Sequence, residues 1–307
     1  MKILGTGLTG LVGSRIVELL KDQYEFENIS SSTGVNIVDR ESVLKKISSS
    51  SASVVLHFAA KTNVDGCEED KERDKKILEY RDSNNQKKEW VAGMTAWAVN
   101  VIGTKNVVEA CKKTGKKIIY VSTDFVFDGE RSPGDMESYY SEDALPNPIN
   151  WYGKTKYEGE KIVQNSGLPF LIMRLSYPYR SSFSKNDFIR ALIQKLQNGE
   201  KIAAITDHYI MPTFIDNIAE ALRLLIKSSQ NGIFHTTGSQ LISPFDAAIL
   251  IANTFNLDKS LVEKITRSEF FKDRAPRPFF LGLQNDKIEK LGVKMITLEE
   301  GFQFIKL

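Results

Sequence analysis

A doubly wound α/β fold built on a parallel sheet is predicted for this 307-residue chain by three observations. A short apolar segment at the start runs directly into a glycine-rich turn and then into a stretch of helical periodicity. Apolar, β-branched runs alternate with such stretches through residues 1–175, and strand–helix alternation implies parallel strands joined by right-handed crossovers. Hydrophobic residues make up 41% and charged residues 26%, the balance of an ordinary globular chain, which excludes disordered, collagen-like and filamentous classes.

The elements follow in order. Residues 2–5 form the first strand, and residues 14–21 place their apolar side chains at helical spacing. Residues 54–58 are rich in β-branched side chains and suit a buried parallel strand. Residues 100–113 read as a helix stopped by Gly115. Residues 117–122 are the next strand, 151–164 the next helix and 169–175 a further strand. From residue 176 the pattern loosens, and Pro178, Pro212, Pro244, Pro276 and Pro278 mark turns. We therefore divide the chain into a domain over 1–175 and a smaller one over 176–307, with residues of about 214–238, including a helix over 215–226, returning to the sheet. Between residues 68 and 89, 15 of 22 residues are charged, with Trp90 and Trp97 behind them. That composition predicts a solvated helix or flexible insertion over about 68–90, with a substrate lid or partner-docking arm as the alternative.

Lysine plus arginine number 41 and aspartate plus glutamate 39, a formal charge of +2 with no concentrated basic face, so no nucleic-acid partner is expected. Two cysteines, Cys67 and Cys111, cannot build a disulfide framework; small buried residues in a reducing cytoplasm are expected. No run of 18 apolar residues predicts a membrane span, and the start does not read as a signal peptide. His57, His208 and His235 are scattered, without carboxylates at ligand spacing, so no metal site is expected. Asp65 and Glu68 read as loop or surface acids.

The glycine turn, residues 5–13, fits G-x-G-x-x-G through Gly5, Gly7 and Gly10, and G-x-x-G-x-x-G through Gly7, Gly10 and Gly13. Such glycines let the backbone approach a pyrophosphate that rests on the amino end of the next helix. Between a strand and an amphipathic helix, the pattern points to a dinucleotide. An acidic residue about 20 positions on normally grips the ribose 2′-hydroxyl of NAD. Here that zone holds Ser30, Ser31 and Ser32 and no carboxylate, so NADP(H) is favoured and NAD(H) is the second choice. Asp39 is the acid that could reach the ribose if NADH were preferred.

Tyr152 and Lys156 are four residues apart, on one face of a helix. The lysine's charge can lower the phenol's pKa and make it a proton donor to a carbonyl. Tyr157 and Lys161 share the spacing, so position decides. Tyr152 opens its helix one connection beyond the strand ending at Thr123, whereas Tyr157 points roughly 140° away. A hydroxyl at Thr123, on the carboxyl end of a parallel strand, sits where such sheets bind ligands. Asp124 lies beside it.

These residues resemble the extended short-chain dehydrogenase/reductases. Several stretches are similar to the dTDP-4-dehydrorhamnose reductases among them: 62–68 (TNVDGCE), 99–103 (VNVIG), 121–129 (VSTDFVFDG), Asn147-Pro148 leading to 152–156 (YGKTK), Gly159-Glu160, Pro212-Thr213 and Arg277-Pro278. The resemblance covers nearly the whole chain. It implies a Rossmann fold with a smaller C-terminal substrate-binding domain, and reduction of a 4-keto-6-deoxy sugar carried on a nucleotide diphosphate. It also implies a homodimer formed through the two helices flanking the site. Its catalytic set falls on Thr123, Tyr152 and Lys156, with Asp124 beside them. Its cofactor contacts fall on Gly7, Thr9, Gly10, Leu11, Val12, Ser31, Ser32, Asp39, Phe58, Ala59, Ala60, Thr62 and Asn100, with Tyr152 and Lys156. The β subunit of methionine adenosyltransferase shares these features and gives a non-catalytic regulatory alternative; a nucleotide-sugar epimerase is another. A 4,6-dehydratase is disfavoured, because Phe125 stands where its base belongs. The chain departs from the pattern in the charged insertion, about 20 residues longer than the family's, in Tyr177 where a tryptophan is common, and at His208 to Met211.

Overall fold

Alternation of side chains along the strands sorts the core into two halves, one on each face of a six-stranded sheet. The computed structural model describes residues 1–134, 136–182 and 184–306. In chain order the first elements are β1 (Lys2–Thr6), α1 (Leu11–Leu20), β2 (Glu25–Ile29), α2 (Arg40–Ser49) and β3 (Val54–His57). Next come α3 (Val64–Leu78), α4 (Ser83–Gly93), a π-helical turn (Ala98–Gly103), α5 (Thr104–Thr114) and β4 (Lys117–Thr123). They are followed by α6 (Trp151–Gln164), β5 (Phe170–Leu175), β6 (Pro178–Tyr179), α7 (Phe188–Gln197), β7 (Ile202–Ile205) and β8 (Thr213–Phe214). Then α8 (Ile215–Lys227), β9 (Gly232–His235), α9 (Pro244–Thr254) and β10 (Val262–Ile265) lead to short C-terminal helical turns.

The sheet runs β2-β1-β3-β4-β5-β9, with every pairing parallel. Ile3, Val54, Leu56, Ile119 and Met173 face α1 and α8, which contribute Ile16, Leu20, Leu222 and Leu225. Leu4, Val55, Ile118 and Ile172 face α2 and α5, which contribute Val43, Ile47, Val107 and Cys111. Strand order reverses between β1 and β3, and a ligand crevice opens beyond the carboxyl ends at such a switch point. A third core, from α7, α9 and the β7–β10 pair, closes that end around Leu192, Ile202, Phe214 and Ile251.

The charged stretch departs from the solvated or flexible element that its composition predicts. It folds as α3 and α4, and Asp74, Ile77 and Trp90 are buried. Its outer face carries ion pairs such as Lys75–Glu72 and Arg73–Glu89, while its inner face is a tether. Asp74 Oδ2 accepts the Trp151 indole N–H at 2.7 Å and the Trp97 amide at 3.1 Å. Asp65 and Glu68 are likewise not free surface acids. Asp65 pairs with Arg277 at 2.9 Å, and Glu68 accepts the Trp151 amide at 2.7 Å. Among the described residues no helix is long and apolar enough to cross a membrane.

Candidate active site

The glycine turn is shaped by contact. Gly7 has φ 69°, and a Cβ there would lie 2.7 Å from the Ala59 amide nitrogen, so only glycine fits between β1 and the chain leaving β3. Gly10 caps α1 without a side-chain acceptor, and no acidic residue occupies the first turn. The first amides of α1 therefore point at solvent as an anion site. A pyrophosphate fits this cradle.

His57 ties the neighbouring loop in place. Thr104 gives its hydroxyl proton to the Asn100 carbonyl at 2.7 Å, so His57 Nε2 donates to Thr104 at 3.0 Å. His57 Nδ1 then accepts from Thr6 at 2.7 Å, and Thr6 accepts the Ala59 amide at 3.1 Å. Burial lowers the His57 pKa to about 3, which keeps this relay neutral.

One cavity of about 930 Å³ runs along the carboxyl ends of the strands. At one end lie Ile29, Ser30, Ser31, Val35, Asn36 and Ile37; in the middle are Gly7, Thr9, Gly10, Leu11, Val12, Phe58, Ala59, Ala60 and Thr62. Thr123, Asp124 and Tyr152 follow, and beyond them Tyr177, Phe188, Leu192, Ile205, His208, Phe271 and Arg277.

Four expected site residues stand back from the cavity lining. Ser32 lies in a 3-10 turn, where its hydroxyl bonds Ser30 Oγ at 2.7 Å. Asp39 caps α2 by accepting the Glu41 amide, outside the cavity lining. Asn100 is occupied by the Lys61 backbone on both sides, at 2.8 and 3.1 Å, and by Thr155 at 2.9 Å, which positions the loop. Lys156 donates from Nζ to the Val121 carbonyl at 2.7 Å and sits 4.1 Å above the Tyr120 ring.

The lysine is spent on that carbonyl and ring, and the expected lowering of the phenol is absent. Burial raises the Tyr152 pKa, and a hydrogen bond with Thr123 opposes the shift. The phenol stays protonated, as a proton donor needs. Burial also lowers Lys156 to about 7 and raises Asp124 to about 7. Thr123 donates to Asp124 Oδ1 at 2.9 Å and accepts the Phe125 amide at 3.2 Å. Helix α6 starts at the strand end because Asn150 Oδ1 accepts the Gly153 amide at 2.8 Å and Asn150 Nδ2 donates to the Pro276 carbonyl at 2.9 Å. A Cβ on Gly153 would meet the Phe125 carbonyl oxygen at 2.1 Å, which fixes the glycine inside the Tyr-Gly-x-x-Lys motif.

Opposite Tyr152 stands an aromatic wall. The His208 Nδ1–H donates to the Pro278 carbonyl at 2.7 Å, so Nε2 accepts from the Tyr177 hydroxyl at 2.8 Å. Burial lowers His208 to about 4 and keeps it neutral. Asn36 and Met94 also line the cavity, and neither carried a sequence signal. Asn36 sits in an irregular turn, and Met94 ends a helix that composition left solvated.

This geometry defines a class, the extended short-chain dehydrogenase/reductase fold of NAD(P)H-dependent oxidoreductases. Within it, the chain belongs to the RmlD substrate binding domain family, whose model matches residues 1–85 and 86–304. The chain is similar to dTDP-4-dehydrorhamnose reductase from Bacillus anthracis in complex with NADP, with a TM-score of 0.83 and 28% identity over 98% of this chain and 97% of that one. It is 28% identical to the probable low-salt glycan biosynthesis reductase Agl14 of Haloferax volcanii, covering 96% of this chain and 94% of that protein. It is 29% identical to methionine adenosyltransferase 2 subunit beta of Xenopus tropicalis, covering 96% and 84%.

Proposed function

We propose that this protein is an NADPH-dependent reductase of a nucleotide-linked 4-keto-6-deoxy sugar, with dTDP-4-dehydrorhamnose as the leading substrate. The observation that carries the reading is one cavity joining the glycine turn to Tyr152 and continuing past it to Arg277. Its lining runs from a dinucleotide-type turn past the candidate proton donor to a cation, the order a cofactor and a second nucleotide would need. The first amides of α1 would hold the pyrophosphate, and Asn36 and Ser31 the adenosine end, where no carboxylate opposes a 2′-phosphate. A reduced nicotinamide, when bound, supplies the hydride for the carbonyl carbon. Thr123 and Tyr152 receive the carbonyl oxygen, and Tyr152 delivers the proton that makes it a hydroxyl. Lys156 stands one helical turn behind the phenol and would hold the nicotinamide ribose. Phe125, Tyr177 and Phe188 exclude water from the face where the sugar docks. Arg277 brings a cation to the cavity for a diphosphate. The reading places the reaction in nucleotide-sugar metabolism, with a cytoplasmic location and a homodimer through the two helices flanking the site.

The test is oxidation of NADPH, followed at the nicotinamide absorbance, on addition of dTDP-4-dehydrorhamnose. Turnover supports the reading; turnover only with a UDP- or GDP-linked analogue keeps the chemistry and changes the substrate. Similarity to methionine adenosyltransferase subunits favours a second reading, a regulatory subunit. Tight NADPH binding without turnover on any nucleotide-linked keto sugar, together with copurification of a second protein, selects it.

A further inference from the structure

Three non-glycine residues have left-handed backbone among the described residues: Met94 (φ 44°), Tyr177 (φ 39°) and Asn256 (φ 53°). Met94 and Tyr177 both line the cavity. Such conformations persist in non-glycine residues where the surroundings over-determine them, and they gather at ligand sites. Tyr177 belongs to the aromatic wall already described. Met94 is the C-cap of α4, the last residue of the charged hairpin.

The hairpin holds Met94 between fixed points. The Met94 amide donates to the Trp90 carbonyl at 3.2 Å, and Trp90 is buried in the sheet core. Just beyond Met94, Asp70 accepts the Ala96 amide at 2.7 Å and Asp74 accepts the Trp97 amide at 3.1 Å. Trp97 stacks on Trp151 at 5.7 Å, next to Tyr152. The hairpin's other contacts with the cavity are to the proton donor and the cation, not to the glycine turn. Val64 lines it, Cys67 packs with Tyr152, and Asp65 grips Arg277. A side chain held at that rim, unbranched and polarizable, can mould to an apolar edge of a ligand.

We propose that α3 and α4 form a wall of the sugar site, and that Met94 is a specificity-determining residue contacting the sugar nucleotide. This rests on the reductase reading above. Native Cys67 and Cys111 are fully buried, so a Met94→Cys variant presents one reactive thiol. Its rate of modification by a maleimide would be measured alone, with NADPH, and with NADPH plus dTDP-rhamnose, the product on this reading. We expect little protection by NADPH and strong further protection by the sugar nucleotide. In parallel, Met94→Gly suits the left-handed backbone and removes only the side chain. It should raise KM for the keto sugar by about tenfold, leaving NADPH affinity and Tm near wild type. Full protection by NADPH alone, no added protection by dTDP-rhamnose, or an unchanged KM overturns the assignment. Wild-type turnover, measured alongside, separates the two ideas: turnover without protection sinks only the role of Met94, whereas its absence sinks the reductase reading and this one with it.

Discussion

Tyr152 and Tyr157 lie five residues apart on α6, each four residues ahead of a lysine, and only Tyr152 reaches the cavity. Tyr157 packs beside Val126 and Phe127, with Lys161 5.2 Å from its ring. Tyr152→Phe should therefore lower kcat by about 100-fold or more with NADPH affinity retained, while Tyr157→Phe leaves kcat within about twofold. Steady-state kinetics on both variants checks this, and the reverse pattern would reassign the donor. At this scale the sequence was informative wherever chemistry demands a residue type. Gly7, Thr123 and Tyr152 announce themselves by spacing and position. The pKa of the phenol does not, because it depends on burial and on where Lys156 spends its proton. Asp39 is ambiguous for a related reason: a carboxylate before a helix reads equally as a ribose ligand or as an N-cap, and the fold shows the cap.

Elements with a regular apolar period were legible almost to the residue, α6 and α8 among them. The hairpin of α3 and α4 was not. Composition counts Asp74 as one more surface charge, whereas in the fold it is a buried acceptor whose own pKa is raised by burial. Trp90, beyond the charged run, anchors the hairpin in the core. Asp74→Ala would strand the buried Trp151 indole N–H and the Trp97 amide. We expect a loss of about 2–3 kcal/mol in stability and a lower kcat, because Trp151 precedes Tyr152 at the start of α6. Denaturant unfolding and kinetics on the same variant test this. Unchanged stability would return the hairpin to the role of a solvated arm.

Across the whole molecule, all three histidines are buried and held neutral. His57 falls to about 3, His208 to about 4 and His235 well below its ordinary 6.5, each chiefly through burial. Unfolding below pH 6.5 lets them take up protons, so this contribution to stability is full above 6.5 and is lost as pH falls. Asp124 works the other way, since it holds a proton in the fold up to about 7 and releases it on unfolding. The three histidines together gain more protons than Asp124 releases near pH 5.5, so this balance makes stability fall as pH drops. Buried Asp74, Glu142 and Asp187, also raised, trim that slope. Calorimetry between pH 5 and 6.5 should show Tm falling with acid; a flat profile would mean that the buried carboxyls release as many protons on unfolding as the histidines gain.

Whether a dinucleotide and a keto sugar meet in one cavity against Tyr152 can be read from the fate of the transferred hydrogen. Wild-type protein is given NADPH deuterated at the transferring position of the nicotinamide C4, with dTDP-4-dehydrorhamnose, and the sugar product is weighed by mass spectrometry. One deuterium is expected on the reduced carbon of the sugar, formed far more slowly by Tyr152→Phe. A reduced sugar without deuterium, or formation at the same rate in Tyr152→Phe, would contradict it.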